Sequence, residues 1–134
     1  MKRAIGKPTK AQQAYQDSAR EFGCVVCRYR IERGMQHAIG CGHVHIHHRN
    51  IGDLHGQKQL GHDSVVALGA WHHDGVVLPN RTIDQMRDQF GPSFKHNAKD
   101  FRAWTADMLP GYPRGTEGWQ RWQDEMLNTR GKAA

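Results

Sequence analysis

Two pairs of adjacent histidines, His47-His48 and, twenty-five residues on, His72-His73, constrain this chain more than any other feature, together with Cys24-Val25-Val26-Cys27 upstream. The run Val65-Val66-Ala67-Leu68-Gly69-Ala70-Trp71-His72-His73 reads as a strand that delivers two imidazoles to the start of a helix. Upstream, Val44 and Ile46 alternate with His43, His45 and His47. That is the period of a strand with one apolar face and one imidazole-rich face, and the apolar face should meet the core. Together the two segments predict a strand, strand, helix unit gathered around its histidines. Eight of the ten histidines fall between His43 and His73, a density for which a neutral core has no use.

An imidazole is a good ligand for a divalent ion, and its ordinary pKa of about 6.5 lets a neighbouring imidazole take a proton from water near neutral pH. Phosphodiester hydrolysis needs both acts, a cation against the charge that develops on phosphorus and its leaving oxygen, and a base that makes hydroxide. We assign His48 as the general base, with His47 and His73 holding a catalytic Mg2+ or Mn2+. Adjacent strand residues face opposite sides, so this assignment requires the strand to end, twist or bulge between His47 and His48. His55 and His62 flank a glycine-rich loop, and His62 is a secondary candidate for contact with phosphate or the ion; His37 and His96 are expected in solvent. A purely structural reading, in which all these groups brace a fold too small to hold itself, stands beside the catalytic one.

The 134 residues suffice for one domain. Residues 1–8 are basic and broken by Gly6 and Pro8, as a flexible arm is. Thr9 and Gln12 form a capping-box pattern, predicting a helix from 9 to 22 that Gly23 ends. Cys24 to Cys27 then read as a metal knuckle, and residues 28–40 as a loop. Three cysteines cannot all pair, and no βαβ pattern surrounds the CxxC, which favours zinc over redox chemistry. Residues 49–63 form a polar loop. Gly75 and Pro79 limit the helix after Trp71 to roughly one turn. Ile83, Met86, Arg87 and Phe90 mark a short helix, Phe101 to Leu109 a clearer amphipathic one, and Trp119, Trp122 and Met126 a third, with the tryptophans at core spacing.

Nineteen Lys and Arg against thirteen Asp and Glu give a formal charge of +6, and residues 1–30 hold seven of the bases against two acids. Such a positive end attracts polyanions by releasing their counterions, so DNA is the expected partner. Lys2, Arg3 and Lys7 in the arm and Lys10 just after it, with Arg49 and Lys58 in the polar loop, are its expected contacts. With no apolar run of about 18 residues and no apolar segment after Met1-Lys2-Arg3-Ala4, the chain is expected in the cytosol.

In order along the chain, Gly23-Cys24-Val25-Val26-Cys27-Arg28, Ile46-His47-His48, Gly61-His62-Asp63, Leu68-Gly69-Ala70-Trp71-His72-His73-Asp74-Gly75 and Phe90-Gly91-Pro92-Ser93 resemble the recombination-enhancement-function (Ref) family of bacteriophage HNH endonucleases. The resemblance runs from Thr9 to about Phe101 and covers roughly two-thirds of the chain. It implies an α+β fold with a small zinc-stabilised ββα-metal core of the HNH, or His-Me finger, kind with flanking helices. It also implies divalent-metal-dependent cleavage of DNA in a bacterial host by a phage-encoded protein, with a recombinase-coated strand as a possible partner. By position, His48 is again the base and His47 and His73 the cation ligands. On this reading residues 9–110 form the nuclease domain and 111–134 a C-terminal helical tail.

One departure matters. The family pattern has a cysteine where this chain has Gly69, so one ligand of the structural Zn2+ is missing. Cys24, Cys27 and His72 remain, and Cys41, His43 or His45 is left to supply the fourth; Cys41 is preferred for the softness of its sulfur. Without a replacement the zinc site is weakened or absent, and the domain relies on packing alone. The segment from Arg28 to Gly42 is longer than the pattern requires. Two rival functions remain: a noncatalytic zinc-containing DNA-binding or recombination accessory protein, and an assembly protein that docks through its tryptophan-bearing helices.

Overall fold

Thr9 opens the first helix, α1 (Lys10–Phe22). Its hydroxyl accepts the Gln12 N–H at 3.1 Å, and the Gln12 side chain accepts the Thr9 N–H at 2.9 Å. Both orphan donors are thereby satisfied, as the T-x-x-Q pattern predicts. Gly23, at φ 96°, turns the chain where a side chain would be strained. These details come from a computed structural model that describes residues 6–36, 40–50, 53 and 59–133.

The expected loop gives way to a second helix, α2 (Val25–Glu32), which begins within the Cys24–Cys27 segment. Cys24 is its N-cap and Cys27 lies in its first turn. Residues 25–32 hold no glycine or proline, and Val25, Val26 and Tyr29 are buried. The helix therefore runs to Glu32, and the loop is confined to the residues beyond it.

Strands β1 (Val44–His48) and β2 (Val65–Gly69) pair antiparallel, with Val44 opposite Gly69 and His48 opposite Val65. All five residues of β2 are buried. In β1 the expected polarity is reversed: His47 is buried, whereas Val44 and Ile46 are partly exposed. The cause is that the imidazole face is covered, His73 and Phe94 lying against His47 with ring centroids 5.0 and 5.1 Å away.

Directly after β2 comes α3 (Ala70–Asp74), the single turn that Gly75 was expected to impose; Gly75 sits in the left-handed region at φ 69°. Helix α4 (Ile83–Phe90) follows, opened by a second capping box between Thr82 and Gln85 that the sequence reading passed over. Then come α5 (Ala98–Met108), capped by Asn97, and α6 (Thr116–Ala133).

The expected C-terminal helix is present and forms part of the packed body. Helix α6 packs on α1, α2 and β2. Trp119 and Trp122 are buried and meet the Tyr29 ring edge-on at 5.5 and 5.2 Å. This places both tryptophans in the core and removes them from any docking face. Gln123, fully buried, accepts the Ala67 N–H and donates to the Val65 carbonyl, closing the free edge of β2 with one side-chain amide. Among the described residues, no helix is long and apolar enough to cross a membrane.

Candidate metal centre

Four donors meet behind β2. Cys24 and Cys27 come from the start of α2, Cys41 from the loop before β1, and His72 from α3; all four are buried, and none of the cysteines is in a disulfide. The Cys41 and Cys24 sulfurs are 3.8 Å apart. His72 Nδ1 lies 3.1 Å from Cys41 Sγ, 3.4 Å from Cys24 Sγ and 3.9 Å from Cys27 Sγ. A tetrahedral zinc with ordinary bond lengths spaces two sulfurs by about 3.8 Å and a sulfur and a nitrogen by about 3.6 Å. The donor set therefore has the size and chemistry of a Cys3His zinc site.

The surroundings fit the same ion. His72 Nε2 is 2.8 Å from the Phe90 carbonyl, which fixes the hydrogen on that nitrogen and turns the Nδ1 lone pair toward the sulfurs. Hydrogen bonds from Cys24 and Cys27, with His72 nearby, hold the Cys41 thiol well below its usual range, whereas burial pushes the Cys24 thiol up. Burial alone would lower His72, yet the Cys41 thiolate and hydrogen bonds with Cys27 and Cys41 raise it, so the Nδ1 position facing the sulfurs attracts positive charge, a proton or a metal ion in its place. The cluster favours anionic sulfur facing positive charge in a dry interior, which a divalent cation supplies to all four donors at once.

The fourth donor is thus Cys41, and Gly69 explains how it fits. A Cβ built on Gly69 would stand 2.3 Å from Cys41 Sγ. The Cys41 sulfur occupies the space that a side chain on the strand would need. His45, weighed as an alternative fourth ligand, lies elsewhere, against His73; His43 is exposed, its ring 5.8 Å from that of His45.

The second group of histidines lines a cavity of about 330 Å³ together with Asn50, Asp53, Asp74 and Lys95. His47 and His73 are both on its wall. His47 Nε2 is buried and meets no hydrogen-bond partner among the described residues. Burial, with the neighbouring His73 and His48, lowers its pKa to about 4, so the ring is neutral and its nitrogen can donate a lone pair. An unpartnered, neutral, buried imidazole beside a second one suits a cation ligand.

His48 does not join them on that wall. No bulge interrupts β1 at this point: His47 pairs with Val66 and His48 with Val65 in regular register, so the two side chains project to opposite faces. His48 Nε2 instead lies 3.2 Å from His62 Nδ1, and His62 Nε2 lies 2.8 Å from the Gly6 carbonyl. The strand's regularity follows from Arg49, whose N–H continues the ladder to the Ser64 carbonyl. The expected convergence of His48 with His47 and His73 is therefore not what the backbone produces.

Of the expected DNA contacts, Lys7 and Lys10 are exposed. Arg49 is half-buried and committed to α6, donating to Thr116 Oγ1 and Gln120 Oε1. Asp53 in the same loop also turns inward, accepting from the Thr116 N–H at 2.9 Å. Lys2, Arg3 and Lys58 lie outside the described residues, as do His37 and His55. His96 is exposed as expected, yet its ring covers Trp71 at 5.5 Å. The sequence reading passed over Asp74, whose carboxylate lies within 3.5 Å of the Nδ1 atoms of both His45 and His73. Its signal was adjacency to the second histidine pair. No family model, curated protein or solved structure matches this chain.

Proposed function

We propose that the protein is a metal-dependent DNA endonuclease of the HNH kind, built on a ββα-metal core that a structural zinc braces. The observation that carries this reading is the buried, unpartnered His47 Nε2 beside His73 on the wall of the cavity. His47 and His73 would hold a Mg2+ or Mn2+ ion. When bound, such an ion supplies positive charge beside the scissile phosphate and its leaving oxygen. Lys95 on the same wall offers an ammonium to a phosphate oxygen, and the exposed Lys7 and Lys10 add affinity independent of base sequence. Burial and then His62 hold the His48 ring below its usual pKa, so at neutral pH it can accept a proton from water.

A second reading rests on one specific observation. His48 faces His62 and does not line the cavity that His47 and His73 share, which favours a noncatalytic zinc-containing DNA-binding or recombination accessory protein. Incubating supercoiled plasmid and single-stranded circles with Mg2+, Mn2+ or EDTA separates the two. The nuclease reading expects metal-dependent nicking that falls by at least about a hundredfold in both His48→Ala and His47→Ala, the scale of a lost general base or of a lost cation ligand. DNA binding with no cleavage by wild type under any of these conditions would overturn it in favour of the accessory protein.

A further inference from the structure

The imidazole-rich face of β1 holds more donors than the proposed nuclease requires. His45 Nδ1 and His73 Nδ1 are 2.9 Å apart. Asp74 Oδ2 lies 3.3 Å from the first and 3.5 Å from the second. Three donor atoms, from β1 and from the end of α3, thus converge on one point at the edge of the cavity that His47 and Lys95 line.

An ion bound at about 2.1 Å spaces its ligands by about 3.0 Å in octahedral and about 3.4 Å in tetrahedral geometry. The three observed separations fall on that scale. Proton sharing accounts for them less well. One N–H can bridge the two nitrogens or reach the carboxylate, and a second N–H brought to the same point would press against the first. A cation satisfies all three lone pairs together. Two imidazoles and one carboxylate suit zinc, cobalt or nickel.

We propose that His45, His73 and Asp74 form a second binding site for a divalent transition-metal ion, separate from the Cys3His cluster and open toward the cavity. Its three protein ligands leave coordination positions for water or for an anionic oxygen of a molecule entering the cavity. All three side chains are partly exposed, at 30 % for His45, 23 % for His73 and 46 % for Asp74, so an ion can enter without unfolding the chain. The site shares His73 with the proposed nuclease centre but does not depend on that reading, because its ligands are defined by their own geometry.

The test uses the full chain purified with one zinc bound and titrated with Co2+. One further ion is expected to bind, seen by visible d–d absorption without the intense near-ultraviolet band of a cobalt thiolate. His45→Ala and Asp74→Asn should each weaken it by at least about tenfold, since losing a ligand exceeds the usual effect of losing a ligand's own hydrogen-bond partner. Both affected positions are exposed enough to tolerate substitution, and an unchanged near-ultraviolet circular dichroism of the tryptophans confirms that each variant is folded. Failure to bind a second ion, a spectrum showing only thiolate ligation, or binding that His47→Ala abolishes and His45→Ala spares would each overturn the proposal. The readout is metal binding alone, so it is independent of whether the protein cleaves DNA.

Discussion

Gly69 and Cys41 act as one unit. Gly69 has an ordinary extended backbone, φ −65° and ψ 163°, so its lack of a side chain is not a conformational requirement. What excludes a side chain is the Cys41 sulfur, 2.3 Å from where a Cβ would stand. The third thiol of the cluster thus comes from the loop before β1, and the strand leaves room for it. We therefore expect Gly69→Ala to displace Cys41, lower zinc affinity by more than about a hundredfold and reduce the melting temperature. Cys41→Ala should do the same. In the double variant Cys41→Ala/Gly69→Cys the strand thiolate faces the vacated space, and zinc binding should largely return; metal analysis after dialysis, with thermal melts, checks this. Zinc affinity of the double variant no better than that of either single one would refute the exchange. Softness alone pointed to Cys41 in the sequence, but the role of Gly69 was illegible there, because it depends on a spacing between residues that are 28 apart in the chain.

Among the elements, the helix ends were the most legible. Thr9 with Gln12, and the glycines at 23 and 75, act through contacts within a few residues, which local pattern captures. Helix α2 escaped because its residues carry little amphipathic contrast: it is buried by neighbours on several sides. The polarity of β1 escaped because tertiary covering by His73 and Phe94 decides it. At the α1–α6 contact a titratable pair is also set by packing. Tyr15 donates its hydroxyl hydrogen to Asp124 at 2.6 Å, and burial raises the Asp124 carboxyl above its usual range. A carboxyl with a raised pKa holds its proton more firmly in the folded than in the unfolded state. Its contribution to stability is present below the unfolded value near 4 and is lost as pH rises through the folded value. Asp124→Asn keeps an acceptor for Tyr15 and removes the buried charge. It should stabilise the protein at pH 7 by less than about 1 kcal/mol, since half-exposure screens the charge, and give no gain at pH 3. Urea unfolding at both pH values decides it, and an equal effect at the two would sink the assignment.

For the whole molecule, the question is how so short a chain holds a buried cluster of three cysteines and a histidine beside a strand rich in half-buried histidines. The zinc donors tie together the first half of the chain, from Cys24 to His72, whereas α6 returns from the other end to cover both α2 and β2. Its role was hidden in the sequence: the spacing of Trp119 and Trp122 marked a buried face, but nothing local named the partner, which is Tyr29, ninety residues away. Removing a buried tryptophan costs about 3 to 5 kcal/mol, and two of them approach the 5 to 15 kcal/mol that holds a typical domain together. Loss of Gln123 would further expose the Ala67 N–H and Val65 carbonyl on the strand that leads directly into His72 and His73. A chain ending at Gly111 is therefore expected to show no cooperative thermal transition even with excess zinc, and to lose any nicking activity with it. Circular dichroism of the truncated chain with and without zinc is the measurement. A cooperative melt restored by zinc would mean that the metal cluster alone organises the β1–β2–α3 unit, and that α6 only reinforces it.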